Sequence, residues 1–219
     1  MPPRSLRFLS ALALAFGLLG PAGDVRAEII DRIAAVVEGQ VLTTSAIERM
    51  SSANLIPAKE GETAEAYRRR VLAETIEFIL QRRDAERFGL RDVRPEDVDA
   101  RIERLVPAGE SREQFVARLA GIGMNEEDLR SLIQQRLQVE AYIEERFAPL
   151  IFVSLEEIEV YYQGTWSQQK RDEGGPVPPL AAVREQLREL LRAERLAAEV
   201  RRWTDQLRLR ANVDIYAYQ

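Results

Sequence analysis

An uninterrupted apolar stripe near the C-terminus constrains the fold more than any other feature of this chain. Over 180–210, Val183, Leu187, Leu190 and Leu191, then Leu196, Val200, Trp203 and Leu207, return at intervals that put side chains on one face of an α-helix. This predicts the longest helix of the chain, and such a stripe needs other elements to cover it. Before it stands "RDEGGPVPP", charged residues followed by two glycines and a proline run, which predicts a linker over 169–179. Asn212 breaks the helix, and "VDIYAY" alternates as a final strand.

Upstream the same spacing recurs. A helix is predicted over 62–88, with Leu72, Ile76, Ile79 and Leu80 inward, Val71 and Phe78 widening the stripe, and Gly89 as its C-cap. Pro95 opens the next helix at its first position, with Glu96 and Asp97 in the first turn, where the helix dipole favours them. A short helix over 111–119 turns Phe115, Val116 and Leu119 inward, and Asn125 caps another that carries Leu129, Leu132, Ile133 and Leu137. "PLIFV" reads as a short extended piece, and Ser154 with Glu157 forms a capping box for "SLEEIEVYYQGTWSQQ". The β exception is 29–42. There "IIDRIAAVV" meets Glu38-Gly39 before "QVL", two short strands around a glycine turn, followed by a helix over 45–53 for which Thr43, Thr44 or Ser45 can supply the N-cap, with Glu48 in the capping-box place relative to Ser45. The expected fold is therefore mainly α, with a small β-sheet formed by strands from both chain ends.

The first 27 residues read as a secretory leader. Arg4 and Arg7 precede an apolar run of about 13 residues, then Gly20-Pro21 and Val25-Arg26-Ala27, the order of a cleavable signal peptide. The run is shorter than the roughly 20 residues a spanning helix needs. Cleavage after Ala27 is expected, leaving about 192 residues in the periplasm with no stable membrane insertion; an uncleaved anchor is the alternative. The chain has 31 basic and 36 acidic residues; without the leader's three arginines and one aspartate the net charge is −7. An acidic surface of this kind argues against a nucleic-acid partner.

Cysteine and histidine are both absent. That removes disulfides, the usual zinc, copper and haem ligands, and Ser-His-Asp or Cys-His catalysis, so no cofactor is expected and an enzyme would have to work with carboxylates, lysine, tyrosine or serine alone. The pairs Glu126-Glu127 and Glu156-Glu157 lie in first turns of helices, where capping and the dipole account for them. The arginines at 68–70 and 82–83 are most simply solvated helix faces.

The order of these elements resembles the SurA-like periplasmic chaperones. "DRIAAVVEGQVLTTSAIE" resembles the hairpin and helix start that open that family, with Glu38 where the family commonly has Asn. "FVARLAGIGMNEEDLRSLIQQRL" is similar to its helix, glycine, helix segment, "VSLEEIEVYYQ" to the helix before its isomerase domain, and "WTDQLRLRANVDIY" to its closing helix and strand. The resemblance implies a helical chaperone core over 28–168, completed by the closing helix and strand of 180–219. Only about 15 residues, 164–178, stand where relatives carry a parvulin isomerase domain, too few for an independent core, so prolyl isomerase activity is not expected.

The implied function is an ATP-independent holdase for unfolded exported proteins, outer-membrane β-barrel precursors especially. The alternative is an interaction subunit that binds one folded partner in an envelope assembly. Either needs an apolar groove, and the candidate lining residues are Met50, Leu55 and Ile56, which run from the helix over 45–53 into the first loop, and Tyr161, Tyr162 and Trp166 beside the linker. Packing against neighbouring helices is the competing explanation for each, and Trp203 is expected in the core. A homodimer, with the closing helix packed in its own chain or exchanged with a neighbour, stays open at this point.

Overall fold

The computed structural model describes residues 31–53 and 55–218. The predicted leader, and Ile29 and Ile30 of the predicted first strand, lie outside the described residues.

Strands β1 (Ile33–Val37) and β2 (Gln40–Thr43) form an antiparallel hairpin, and β3 (Val213–Ile215) from the other end of the chain adds to the free side of β1, in the order β2-β1-β3. The sheet from both chain ends is thus present, although its C-terminal strand is only three residues long. Glu38 and Gly39 both have positive φ, 51° and 83°, the conformation a two-residue hairpin turn demands and one that a glutamate rarely adopts.

The reason for a glutamate lies across the sheet. The Glu38 N–H donates to the Asn212 carbonyl at 2.9 Å, and its carboxylate accepts the Asn212 N–H at 2.6 Å. Arg83 Nη1 in turn donates to the Glu38 carbonyl at 3.0 Å. The residue that turns the N-terminal hairpin is therefore also the one that grips the start of the C-terminal strand. Glu38→Ala should cost about 1 kcal/mol in a urea titration, the net worth of an ordinary hydrogen bond; an unchanged midpoint would remove the grip from the account.

Helices α1 (Thr44–Ser52) and α2 (Ala64–Glu86) cover one face of the sheet. Ala34, Ala35 and Val37 are fully buried against Val71, Leu72, Ile76, Ile79 and Leu80, and Leu207, Val213, Ile215 and Ala217 close the same core from the C-terminal end. Two boundaries differ from expectation. Of the three N-cap candidates it is Thr43 that caps α1, which begins at Thr44 and not Ser45, by accepting the Ala46 N–H at 3.3 Å, and no capping box between Ser45 and Glu48 forms. Ser45 is held instead by Asp31, whose carboxylate accepts both its N–H at 3.1 Å and its hydroxyl; those hydrogen bonds keep the Asp31 carboxyl below its usual range. Likewise Thr63 caps α2, which leaves Glu62 outside the helix and paired with Arg70 at 2.7 Å.

Helices α3 (Pro95–Glu103), α4 (Arg112–Gly121) and α5 (Glu126–Phe147) build a second core from Val98, Ile102, Phe115, Leu119, Leu129 and Ile133. Pro95 stands at the start of α3, and Ser111 and Asn125 close reciprocal capping boxes with Gln114 and Asp128. Val116, expected inward, is only half-buried.

After a single 3-10 turn (Ala148–Leu150) come α6 (Leu155–Tyr161), a π-helical turn (Tyr162–Trp166) and α7 (Ser167–Asp172). Ser154 and Glu157 form the expected capping box. Because α7 runs to Asp172, the first residues of the predicted linker are helical, and the connection to α8 (Leu180–Arg210) is 173–179. Gly174, at φ +74°, closes α7 with its N–H on the Arg171 carbonyl at 2.9 Å, and the Tyr162 hydroxyl holds the proline run through Pro178 at 2.7 Å. The connection is therefore tied down along its length.

Candidate functional site

At 31 residues α8 is about 46 Å long, and it is buried near both ends rather than throughout. Val183 and Leu187 join Val153, Ile158 and Trp166 in a third core, while Trp203 and Thr204 are buried where α8 meets the body of the molecule. Elements α6, the π-turn and α7 thus form an arm with the first half of α8. Segment 148–155 carries the chain from the body into that arm and makes an elbow.

The elbow is strongly apolar, and much of it faces outward. Residues 151–154 have no regular structure, and side chains along an extended segment alternate in direction. Val153 turns into the third core, while Leu150, Phe152 and Leu155 are 75%, 76% and 63% exposed. Ile151, Phe152, Val153 and Leu155, with Arg188 and Arg192 of α8, line a groove of about 380 Å³.

Arginines at 188, 192 and 195 share one flank of α8, with different fates. Arg195 donates to the Phe152 carbonyl and to the Glu157 carboxylate, and so pins the elbow to the helix. Arg188 is paired with Glu185. Arg192, half-buried between them, makes no hydrogen bond or ion pair with any described residue.

The Arg195 guanidinium holds the Glu157 carboxyl down at about 2, and Arg70 does the same for Glu62. A carboxyl whose folded pKa lies below its ordinary 4.5 stabilises the fold at all pH values above that, and its contribution is lost as pH falls from 4.5 toward 2. Melting temperature should therefore be level from pH 7 to 5 and fall below 4.5. Glu62→Gln should flatten that acid limb, and a variant that keeps the full slope would assign the loss to other groups.

The six residues picked from the sequence fall into two separate places. Met50 is half-buried on α1, with the Thr75 hydroxyl 3.5 Å from its sulfur, and Leu55 packs on the second core. Ile56 is 3% exposed. The Tyr67 hydroxyl lies 2.6 Å from the Ile56 carbonyl, and Arg70 Nη2 donates to the Pro57 carbonyl at 2.8 Å, so this loop is fastened to α2. In the arm Tyr162 stacks on Trp166 with centroids 5.6 Å apart, Trp166 is 7% exposed and Tyr161 packs alongside. Ile56 and Trp166 therefore have almost no surface to offer. The two groups serve different cores and are not brought together. Trp203 is buried, as expected.

Leu150, Phe152, Leu155 and Arg192 were not singled out from the sequence. A signal was present: five consecutive apolar residues, Leu150 to Val153 with Pro149 ahead of them, between two helices form a run that a polar connection would not need.

A larger groove, about 710 Å³, lies at the hairpin tip between Glu38, Gln40, Arg82, Arg83, Glu86 and Arg210. Arg82 pairs with Glu86 at 3.6 Å and Arg83 with Glu38 at 3.8 Å, which leaves Arg210 as the lining charge without a partner among the described residues, and the groove has no exposed apolar wall comparable to that of the elbow. Among the described residues no group of three or more acidic side chains could hold a metal ion, and no helix is long and apolar enough to cross a membrane.

Fold and site together define a mainly helical protein in which strands near its two ends share one small sheet and an exposed apolar elbow joins the first two cores to the third. No family model matches the chain, and no curated protein matches it.

Proposed function

We propose that the protein is a periplasmic, ATP-independent holdase that shields apolar segments of unfolded exported proteins, outer-membrane β-barrel precursors among them. The observation that carries this reading is the elbow, where Leu150, Phe152 and Leu155 stand largely exposed beside a groove. Soluble proteins seldom leave adjoining large apolar side chains in water unless something binds there. The leader-like N-terminus and the resemblance to SurA-like chaperones support the compartment and the client class. Burial of apolar surface is reversible and needs neither nucleotide nor covalent step, which agrees with a chain lacking cysteine and histidine.

The test is a Phe152→Ser, Leu155→Ser double variant beside the unaltered protein. The unaltered protein should slow aggregation of several unrelated unfolded β-barrel proteins at near-stoichiometric ratio. The double variant should lose most of that protection with little change in melting temperature, because exposed substitutions usually shift stability by under about 0.5 kcal/mol each. Protection of no client, together with co-purification of one folded protein, would replace the holdase with a dedicated interaction subunit.

A further inference from the structure

We propose that the elbow groove receives the free C-terminal end of a polypeptide, its last apolar side chain against Phe152 and Leu155 and its α-carboxylate on Arg192. This deepens the holdase reading and rests on it. Phe152, Leu155, Ile151 and Val153 supply the apolar wall, and among the described residues Arg188 and Arg192 supply the charged lining of the same groove. Arg188 is answered by Glu185, and the neighbouring Arg195 by Glu157. Arg192 alone is left with an unused fork of donors, half-buried and without a partner among the described residues. The planar guanidinium suits a carboxylate, which it can hold through two parallel hydrogen bonds.

The size of the groove favours a chain end over an internal acidic residue. At about 380 Å³ it lies near the lower limit of ligand sites, room for very few side chains. On a C-terminal residue the apolar side chain and the carboxylate spring from the same Cα, so both enter a small groove together. In an extended internal segment the side chains next to an acidic residue point the other way, and an apolar neighbour on the same side stands two residues off. Capture of a terminal carboxylate also requires no sequence beyond the last residue, which fits a protein that meets varied clients.

The experiment uses three labelled peptides of one apolar sequence ending in leucine: the free acid, the C-terminal amide, and an amide with one internal aspartate. Anisotropy titrations are run on the unaltered protein and on Arg192→Gln, with matching thermal melts as the folding control. The free acid should bind about fivefold tighter than the amide, the range a charge-assisted hydrogen bond at a partly exposed site provides. In Arg192→Gln the two should become equal through loss of acid binding alone, and Arg192→Lys should restore part of the preference.

Equal binding of acid and amide to the unaltered protein overturns the proposal. So does an acid preference that survives Arg192→Gln, and so does an internal-aspartate amide that binds as tightly as the free acid. The holdase reading fails separately: an acid preference without protection in the aggregation assay removes the holdase and leaves the carboxylate site, while protection without a preference does the reverse.

Discussion

Trp203→Ala is expected to lower the stability of the protein by about 4 kcal/mol, within the range for truncating a buried aromatic. Trp203 is 6% exposed and lies where α2, α5 and α8 meet. Its ring centroid is 5.3 Å from that of Phe147 and 5.8 Å from that of Tyr142. The indole N–H donates to Asp84 Oδ2 at 3.1 Å, and Asp84 also pairs with Arg146 at 3.1 Å. The Arg146 guanidinium sits within 5.2 to 5.7 Å of the Phe147, Phe88, Tyr142 and Trp203 rings, so one arginine ties together side chains from all three elements.

Truncation removes one wall of this box, opens a cavity and takes a donor from Asp84. Because a protein of this size loses roughly 2–4 °C per kcal/mol, the melting temperature should fall by about 10 °C. Trp203→Phe keeps an aromatic wall and loses the indole donor, and should cost about 1 kcal/mol. A loss under 1 kcal/mol for alanine, measured by urea titration, would mean that α8 is held elsewhere along its length.

The second large effect follows from cutting the chain after Ala211. Deleting 212–219 removes the Asn212 partners of Glu38, the pairings of Val213, Asp214 and Ile215 with β1, and the Tyr218 carbonyl that accepts from Arg69 Nε at 2.7 Å. It also uncovers the first core beneath Val213, Ile215, Ala217 and Tyr218, each partly buried there. At about 1 kcal/mol for each half-buried side chain, the loss is about 3–4 kcal/mol. The cut would bare the edge of β1, a row of unpaired backbone groups that invites association. A lower melting temperature and concentration-dependent aggregation are the expected pair of results. An unchanged melting temperature would show that β3 contributes nothing to the fold.

Legibility differs from residue to residue for physical reasons. The capping boxes at Ser111, Asn125 and Ser154 involve groups three residues apart; those at Asn125 and Ser154 can be read at a glance from the chain. The box expected at Ser45 fails because Asp31, fourteen residues away, takes both Ser45 donors, and Thr43 is left to cap α1. Glu38 stood out in the sequence as an ill-suited turn residue, yet its partner Asn212 comes from the opposite end of the chain. The π-turn at Tyr162–Trp166 was not foreseen either.

The site shows the same division more sharply. Leu55-Ile56 and Leu150 to Phe152 are both apolar pieces of connecting chain, and nothing in their composition tells which will be covered. Tyr67 and Arg70 fasten the first piece onto α2 and bury Ile56. The second is pinned by Arg195 through the Phe152 backbone, which leaves the Phe152 ring outside.

The sequence alone determined where the helices run, the caps at Asn125 and Ser154, the strand at each chain end and the stripe of α8, because these rest on spacing and on partners within about one helical turn. Tertiary structure alone decided which apolar residues are exposed, why Glu38 turns the hairpin, and that Arg192 is left without a partner. Exposure and pairing are sums over contacts between residues far apart in the chain; a local apolar run can mark a segment such as Pro149 to Val153, but it does not say which side chains stay uncovered.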